Sequence, residues 1–183
     1  MITLKTRRLL LAPWREEDAE ALYALASDPE IGPMSGWEPH GSVEESREVI
    51  RDVFSAPEVC AILSRESGAL LGAVGLQPSS EIFPELSATE QREMGYWLGR
   101  PYWGHGVMTE AATELLRFGF ELEAVWCSHY DWNSRSRRVI EKCGFRYQFT
   151  KETTNVIGMT NKTVFYALKK EEWLAFSGEK EFA

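Results

Sequence analysis

The chain has 183 residues, 44% hydrophobic and 26% charged, with a net charge of −8. This composition excludes a disordered chain, and the length suits one compact domain, taken over 1–183 with its core over about 2–173. The acidic balance argues against phosphate-driven nucleic-acid binding, which needs clustered Lys and Arg; it fits a cationic partner or plain solubility.

Residues 2–12 are rich in Leu and are predicted to form a strand closed by Pro13 and Trp14. Glu16, Glu17 and Asp18 then open a helix through Ala26, since carboxylates favour the positive end of the helix dipole. Three prolines and three glycines make 28–41 an irregular loop, and a second helix covers Val43–Phe54. Val59–Arg65 and Leu70–Gln77, joined at Ser67-Gly68, read as an antiparallel hairpin. A loop over 79–89 leads to a strand at Glu93–Leu98 and a turn from Gly99 to Gly106. The longest helix follows at Val107–Leu122, where Met108, Ala111, Ala112, Leu115, Leu116 and Leu122 form one apolar stripe. Val125–Tyr130 is a strand and Asn133–Cys143 a helix, capped by Gly144 with Phe145 packing back. Phe145–Lys151 and Thr163–Lys169 close the fold as an antiparallel pair before a short tail. The fold class is therefore mixed α/β (α+β), without regular βαβ repetition.

Cys60, Cys127 and Cys143 are odd in number, widely spaced and lack a CxxC pair. Neither a disulfide framework nor a metal site is expected, and a reducing, cytoplasmic setting is. The first residues lack the apolar core of a signal peptide, and no apolar run approaches membrane-spanning length.

Two segments carry chemistry. Gly104 and Gly106 stand where a strand hands over to the long amphipathic helix. Glycine permits close backbone approach, and the first helical amides lack internal partners, so they can receive a diphosphate. Taken alone, this Gly-x-Gly fits a phosphate cradle or a tight turn that binds nothing. No Gly-Lys-Ser/Thr follows, which excludes a nucleoside-triphosphate loop, and Thr109 occupies the third glycine position of a dinucleotide fingerprint. In the second segment, Asn133 suits an N-cap, and Ser136 shares a helical face with Val139, Ile140 and Cys143. A small polar residue satisfied by backbone is the plainer reading of Ser136.

Together these segments resemble the GNAT acetyltransferase superfamily, and more closely its branch of bacterial ribosomal-protein N-terminal acetyltransferases. The likeness rests on Leu4-Lys-Thr-Arg-Arg-Leu-Leu-Leu, on Glu93-Met-Gly-Tyr-Trp-Leu followed by Tyr102-Trp-Gly-His-Gly-Val-Met-Thr-Glu-Ala, and on Asn133-x-x-Ser136 through Glu141-Lys-Cys-Gly-Phe145. Lys170-Glu-Glu-Trp173 extends it to the end of the core. Pro101 departs from the Gln or Arg usual three residues before the first glycine, and it removes one amide donor.

The resemblance implies a central mixed, mostly antiparallel sheet flanked by helices, with acetyl-CoA as co-substrate, no metal, and direct attack by an amine. Leu98, Trp103, Gly104, His105, Gly106, Val107, Met108, Asn133 and Ser136 are the implied cofactor contacts. Of these, the amides at Gly104, Gly106 and Val107 take the diphosphate, Asn133 the pantetheine arm and the Leu98 amide the thioester carbonyl. Ser136 is implied as the hydrogen-bond donor to the departing sulfur and Glu93 as the base, with His40 a second candidate base. Lys142 is either near the cofactor or an ordinary exposed helix lysine. Trp97, Trp103 and Trp132 are expected to flank the cleft. A protein N-terminus is the leading acceptor; a small amine such as an antibiotic, polyamine or amino acid, or a non-catalytic acyl-CoA-binding module, are the alternatives. A homodimer stays open.

Overall fold

The computed structural model describes residues 2–181. The expected domain over 1–183 thus includes residues 1, 182 and 183, which lie outside the described residues. Among the described residues, eight strands form one sheet: β1 (Leu4–Lys5), β2 (Leu9–Pro13), β3 (Val59–Ser64), β4 (Leu70–Gln77), β5 (Gln91–Leu98), β6 (Ala124–Tyr130), β7 (Arg146–Thr154) and β8 (Thr160–Lys169). Their spatial order is β1-β2-β3-β4-β5-β6-β8-β7. Neighbours are antiparallel except β5 and β6, which run parallel. Among the described residues, six α-helices flank the sheet: α1 (Ala19–Ala26), α2 (Gly32–Ser35), α3 (Val43–Asp52), α4 (Val107–Phe118), α5 (Ser134–Lys142) and α6 (Lys170–Glu181). The mixed, mostly antiparallel sheet flanked by helices agrees with expectation.

Strand alternation sorts the core into two layers. One face of the sheet buries Leu9, Leu11, Ile62, Val74, Met94 and Cys127 against Ala111, Leu115 and Leu116 of α4 and Ile140 of α5. The other buries Ala61, Ala73 and Trp97 against Ala19, Leu22 and Ala26 of α1 and Ile50 of α3. At roughly 1.5–3 kcal/mol for each large apolar side chain, the fully covered α4 stripe is the main hold on that helix.

Several expectations need correction; among them, α2 interrupts the expected loop over 28–41 and α4 ends at Phe118, before Leu122. The single strand over 2–12 is instead the hairpin β1–β2. Thr6 donates its N–H to Leu9 O (3.0 Å) and receives the Leu9 N–H on Oγ1 (2.8 Å), closing a turn without Gly or Pro. Glu110 of α4 fastens that turn, taking Thr6 Oγ1 (2.5 Å) and Arg8 Nε (2.6 Å). Burial opposes the Glu110 charge, but the hydrogen bonds from Thr6 and Arg8 outweigh it and hold the carboxyl below its ordinary range. The short tail is helical: α6 buries Trp173 in the α4–α5 core, and its Phe176 lies over Gly144. Finally, β7 and β8 extend beyond their expected ends, carried by hydroxyl pairs Thr153–Thr163 (2.6 Å) and Thr154–Thr160 (3.0 Å). Strand β5 likewise begins two residues early, at Gln91. This side chain is fully buried and pins loop 79–90 by accepting from Phe83 N (2.8 Å) and donating to the Leu86 carbonyl (3.3 Å).

Candidate functional site

The sheet comes apart between β5 and β6. Their pairing runs only from Gln91–Ala124 to Glu93–Trp126, whereas β5 stays paired with β4 through Leu98 and β6 with β8 through Tyr130. The two strands diverge past Glu93, opening a cleft of about 490 Å³. Alternation divides its lining: Tyr96 and Leu98 belong to the α4–α5 face, Glu93 and Trp97 to the α1–α3 face.

On the α4–α5 face, Gly104 and Gly106 adopt φ of +80° and +73°, a conformation that glycine enters without the Cβ penalty. Gly106 is the N-cap of α4, and no side chain caps that helix. The first amides, from Val107 onward, therefore lack intrahelical partners and present the positive end of the helix dipole. Leu98 adds to this set. Since Gly99 donates to Leu71 O (2.8 Å), ladder alternation turns the Leu98 N–H away from β4 and into the cleft. The Leu98 carbonyl accepts Trp103 Nε1 (2.7 Å), and the Arg135 guanidinium lies 4.6 Å over the Trp103 ring. Arg138 and Lys142 of α5 share this wall, so cations gather here although the chain as a whole is acidic. The arrangement suits a diphosphate with an extended arm.

Asn133 is the N-cap of α5 as expected: its Oδ1 accepts from Ser136 N (3.1 Å). That use leaves its amide NH₂ for other partners. The plainer reading of Ser136, a hydroxyl satisfied by its own backbone, is not what the structure contains. Ser136 Oγ instead lies 2.7 Å from the Tyr96 hydroxyl, which also sits 3.2 Å from the Ser136 carbonyl. Burial is the main cause pushing the Tyr96 hydroxyl well above its ordinary range, with the Cys127 thiol adding to it. Continuing the β5–β6 register beyond the last pair puts His129 level with Tyr96. Its Nδ1 donates to Tyr130 O (2.7 Å), and its Nε2 is buried and without a partner among the described residues.

Across the cleft, Glu93 accepts hydrogen bonds from Ser128 Oγ (3.2 Å) and Ser80 Oγ (3.4 Å). Ile31, Met34 and Ser35 of the α2 region, with Trp97 and Tyr130, complete this wall. Gly36 ends α2 at φ +86°, and any Cβ there would meet the Tyr130 hydroxyl at 2.7 Å, so the segment is fitted against β6.

The cleft thus gathers Glu93, Leu98, Trp103, Gly104, Gly106, Val107, Met108, Asn133 and Ser136. His105 lies outside this lining, and its carbonyl accepts from Arg8 Nη1 (3.1 Å). His40 is also outside. It is buried, bonded through Nδ1 to Ser46 Oγ (2.8 Å), and donates its main-chain N–H to Ala26 O (3.1 Å), so it ties α3 to the end of α1. Trp132 is half-exposed and bonded to Asn161 Oδ1 (3.3 Å) rather than flanking the cleft. Tyr96, His129, Ser128, Arg135 and Arg138 were not among the expected residues. The one signal for Tyr96 is its place on the same strand face as Leu98. Among the described residues no three His, Cys, Asp or Glu side chains converge as a metal-binding group, and no helix is long and apolar enough to cross a membrane.

The family model described as "Acetyltransferase (GNAT) domain" matches residues 8–146. The chain is 29% identical to the FsC-acetyl coenzyme A-N(2)-transacetylase of Aspergillus fumigatus, over 94% of this chain and 78% of that protein. To the putative ribosomal N-acetyltransferase YdaF of Bacillus subtilis it is 31% identical, over 62% of this chain and 59% of that one. In fold it is similar to the solved structure of RimL, a ribosomal L7/L12 alpha-N-protein acetyltransferase in complex with coenzyme A. The TM-score is 0.73 at 16% identity, covering 92% of this chain and 98% of that one.

Proposed function

The chain belongs to the GNAT acetyltransferases, which use acetyl-CoA, and on that premise we propose that it acetylates an amine, most specifically a protein N-terminal α-amine. The observation that carries this reading is the position of Glu93 and Ser136 on opposite faces of the sheet, on either side of the gap between β5 and β6. Acetyl-CoA supplies the thioester. The uncapped α4 amides with Arg135, Arg138 and Lys142 fit its phosphates, and the divergent strands fit a thin pantetheine arm. Leu98 N–H stabilises the developing negative charge on the carbonyl oxygen. Ser136 donates a hydrogen bond to the departing sulfur.

Glu93 is the carboxylate that receives the amine proton, directly or through a water. An amine must be neutral to attack. An α-amine of pKa about 7.7–8.0 gives up its proton at neutral pH for about 1 kcal/mol, against about 5 for a lysine of pKa about 10.4. A carboxylate held in place by two serine hydroxyls suits the first task and not the second. A protein that only bound acyl-CoA would need none of Glu93, Ser136 and Tyr96 beside the gap. YdaF and RimL, whose names describe acetyltransferases of the ribosome and of a ribosomal protein, supply the protein-acceptor side of the reading.

The test is thiol release from acetyl-CoA in the presence of N-terminal peptides, Nα-blocked lysine peptides, polyamines and amino acids. Release is expected to be fastest with free N-terminal peptides. Faster release with a small amine would move the acceptor to that class, and no release with any of them would remove the activity.

A further inference from the structure

We propose that Tyr96 is a positioning residue that frees the Ser136 proton for the departing sulfur, an inference that rests on the acetyl-transfer reading above. Each hydroxyl has one proton and two lone pairs. The pair therefore has two arrangements. In the first, Tyr96 donates to the Ser136 carbonyl at 3.2 Å and receives the serine proton, which is then turned away from the cleft. In the second, Tyr96 donates across the 2.7 Å contact to Ser136 Oγ, and the serine proton points elsewhere. The 2.7 Å contact is of ordinary length in either direction, but the 3.2 Å carbonyl contact that the first arrangement requires is longer than an ordinary O–H···O bond, which favours the second.

Asn133 caps α5 by accepting from Ser136 N at 3.1 Å, which fixes the backbone of Ser136 and leaves its hydroxyl to the tyrosine. Burial keeps Tyr96 protonated, so it remains a donor throughout the neutral range. The serine that a local reading treats as a lone donor is one half of a hydroxyl pair joining α5 to β5.

The transfer balances without a full proton shift through the pair. The amine nitrogen forms its bond to the acetyl carbon, and the carbon–sulfur bond breaks with its electron pair kept by sulfur. The amine proton goes to Glu93 or its water. The thiolate, held by the Ser136 hydrogen bond that Tyr96 reinforces, takes its proton from water on release.

The experiment compares wild type, Tyr96→Phe, Ser136→Ala and the double variant, measuring kcat by thiol release and coenzyme A binding by calorimetry. Tyr96→Phe is expected to lower kcat roughly tenfold and leave binding within about twofold. The double variant should be no slower than Ser136→Ala within about twofold, because the tyrosine acts through the serine. An unchanged kcat in Tyr96→Phe, independent losses that multiply, or an equal loss of binding would each overturn the proposal. If Tyr96→Phe does not fold, Tyr96→Leu takes its place in the same cycle: a double variant no slower than Ser136→Ala supports the pair, and losses that multiply overturn it. A wild type with no thiol release on any acceptor removes the acetyl-transfer reading itself. An active wild type with an indifferent Tyr96→Phe removes only this inference.

Discussion

The α4–α5 wall of the cleft is assembled mainly from two short stretches of chain, 96–109 and 133–142, with His129 of β6 beside them. The α1–α3 wall draws one or two side chains each from α2, β4, β5 and β6, with Ser80 of loop 79–90 bonded to Glu93. The first wall works mainly through backbone: φ of +80° and +73° at two glycines, an uncapped helix start and the Leu98 N–H. The second works through side chains, with Glu93 held by Ser80 and Ser128. A backbone wall tolerates side-chain change but not Cβ atoms at its glycines, whereas a side-chain wall can be re-tailored residue by residue. One can serve a fixed cofactor while the other varies with its acceptor.

The largest expected effect breaks the backbone wall. At Gly104, Val should weaken coenzyme A binding by roughly a hundredfold in calorimetry, because amide–phosphate hydrogen bonds are lost together. No protein atom lies within 4 Å of a Cβ at this position, so the fold should survive and the loss comes from backbone conformation and ligand approach. Retained binding would dissolve the distinction between the walls. Ser136→Ala comes next, with kcat lowered about tenfold and coenzyme A affinity unchanged.

These two residues were readable from sequence because their signals are local: glycines before a helical stripe, and a cap three residues before a serine on the inward face. Tyr96 was not, since its partner lies 40 residues away and a strand position alone does not say what stands opposite. The acceptor wall was hidden for the same reason. Its serines come from a loop and from β6, and a base without its partners is only a glutamate on a strand. The β1–β2 turn escaped notice because Thr6-Arg7-Arg8 contains no Gly or Pro, and its closure comes from the distant Glu110. For α6, Trp173 and Phe176 three residues apart are a thin stripe on which to read a helix.

Smaller effects sharpen the side-chain wall. Glu93→Gln should slow turnover several-fold near pH 6.5 and progressively less toward pH 8.5, as an α-amine of pKa about 7.7–8.0 loses its proton unaided. A loss uniform across that range would make Glu93 structural. The smallest effect lies at His40, outside the cleft. Burial depresses its pKa below the ordinary 6.5 despite the nearby Glu45, so the unfolded chain binds its proton more readily than the folded one. Its contribution to stability is full above pH 6.5 and is lost as pH falls through the lowered folded value. Thermal melting should therefore show a steeper decline below pH 6.5 in the wild type than in His40→Asn, with turnover at pH 7.5 unaltered.

Hydrogen exchange read amide by amide on adding coenzyme A tests the division of the cleft most directly. Slowed exchange at Leu98, Gly104, Gly106, Val107 and Met108, with little change at Glu93 and Ser128, is the predicted pattern. Unchanged exchange at the start of α4, with protection confined to the Glu93 side, would contradict it.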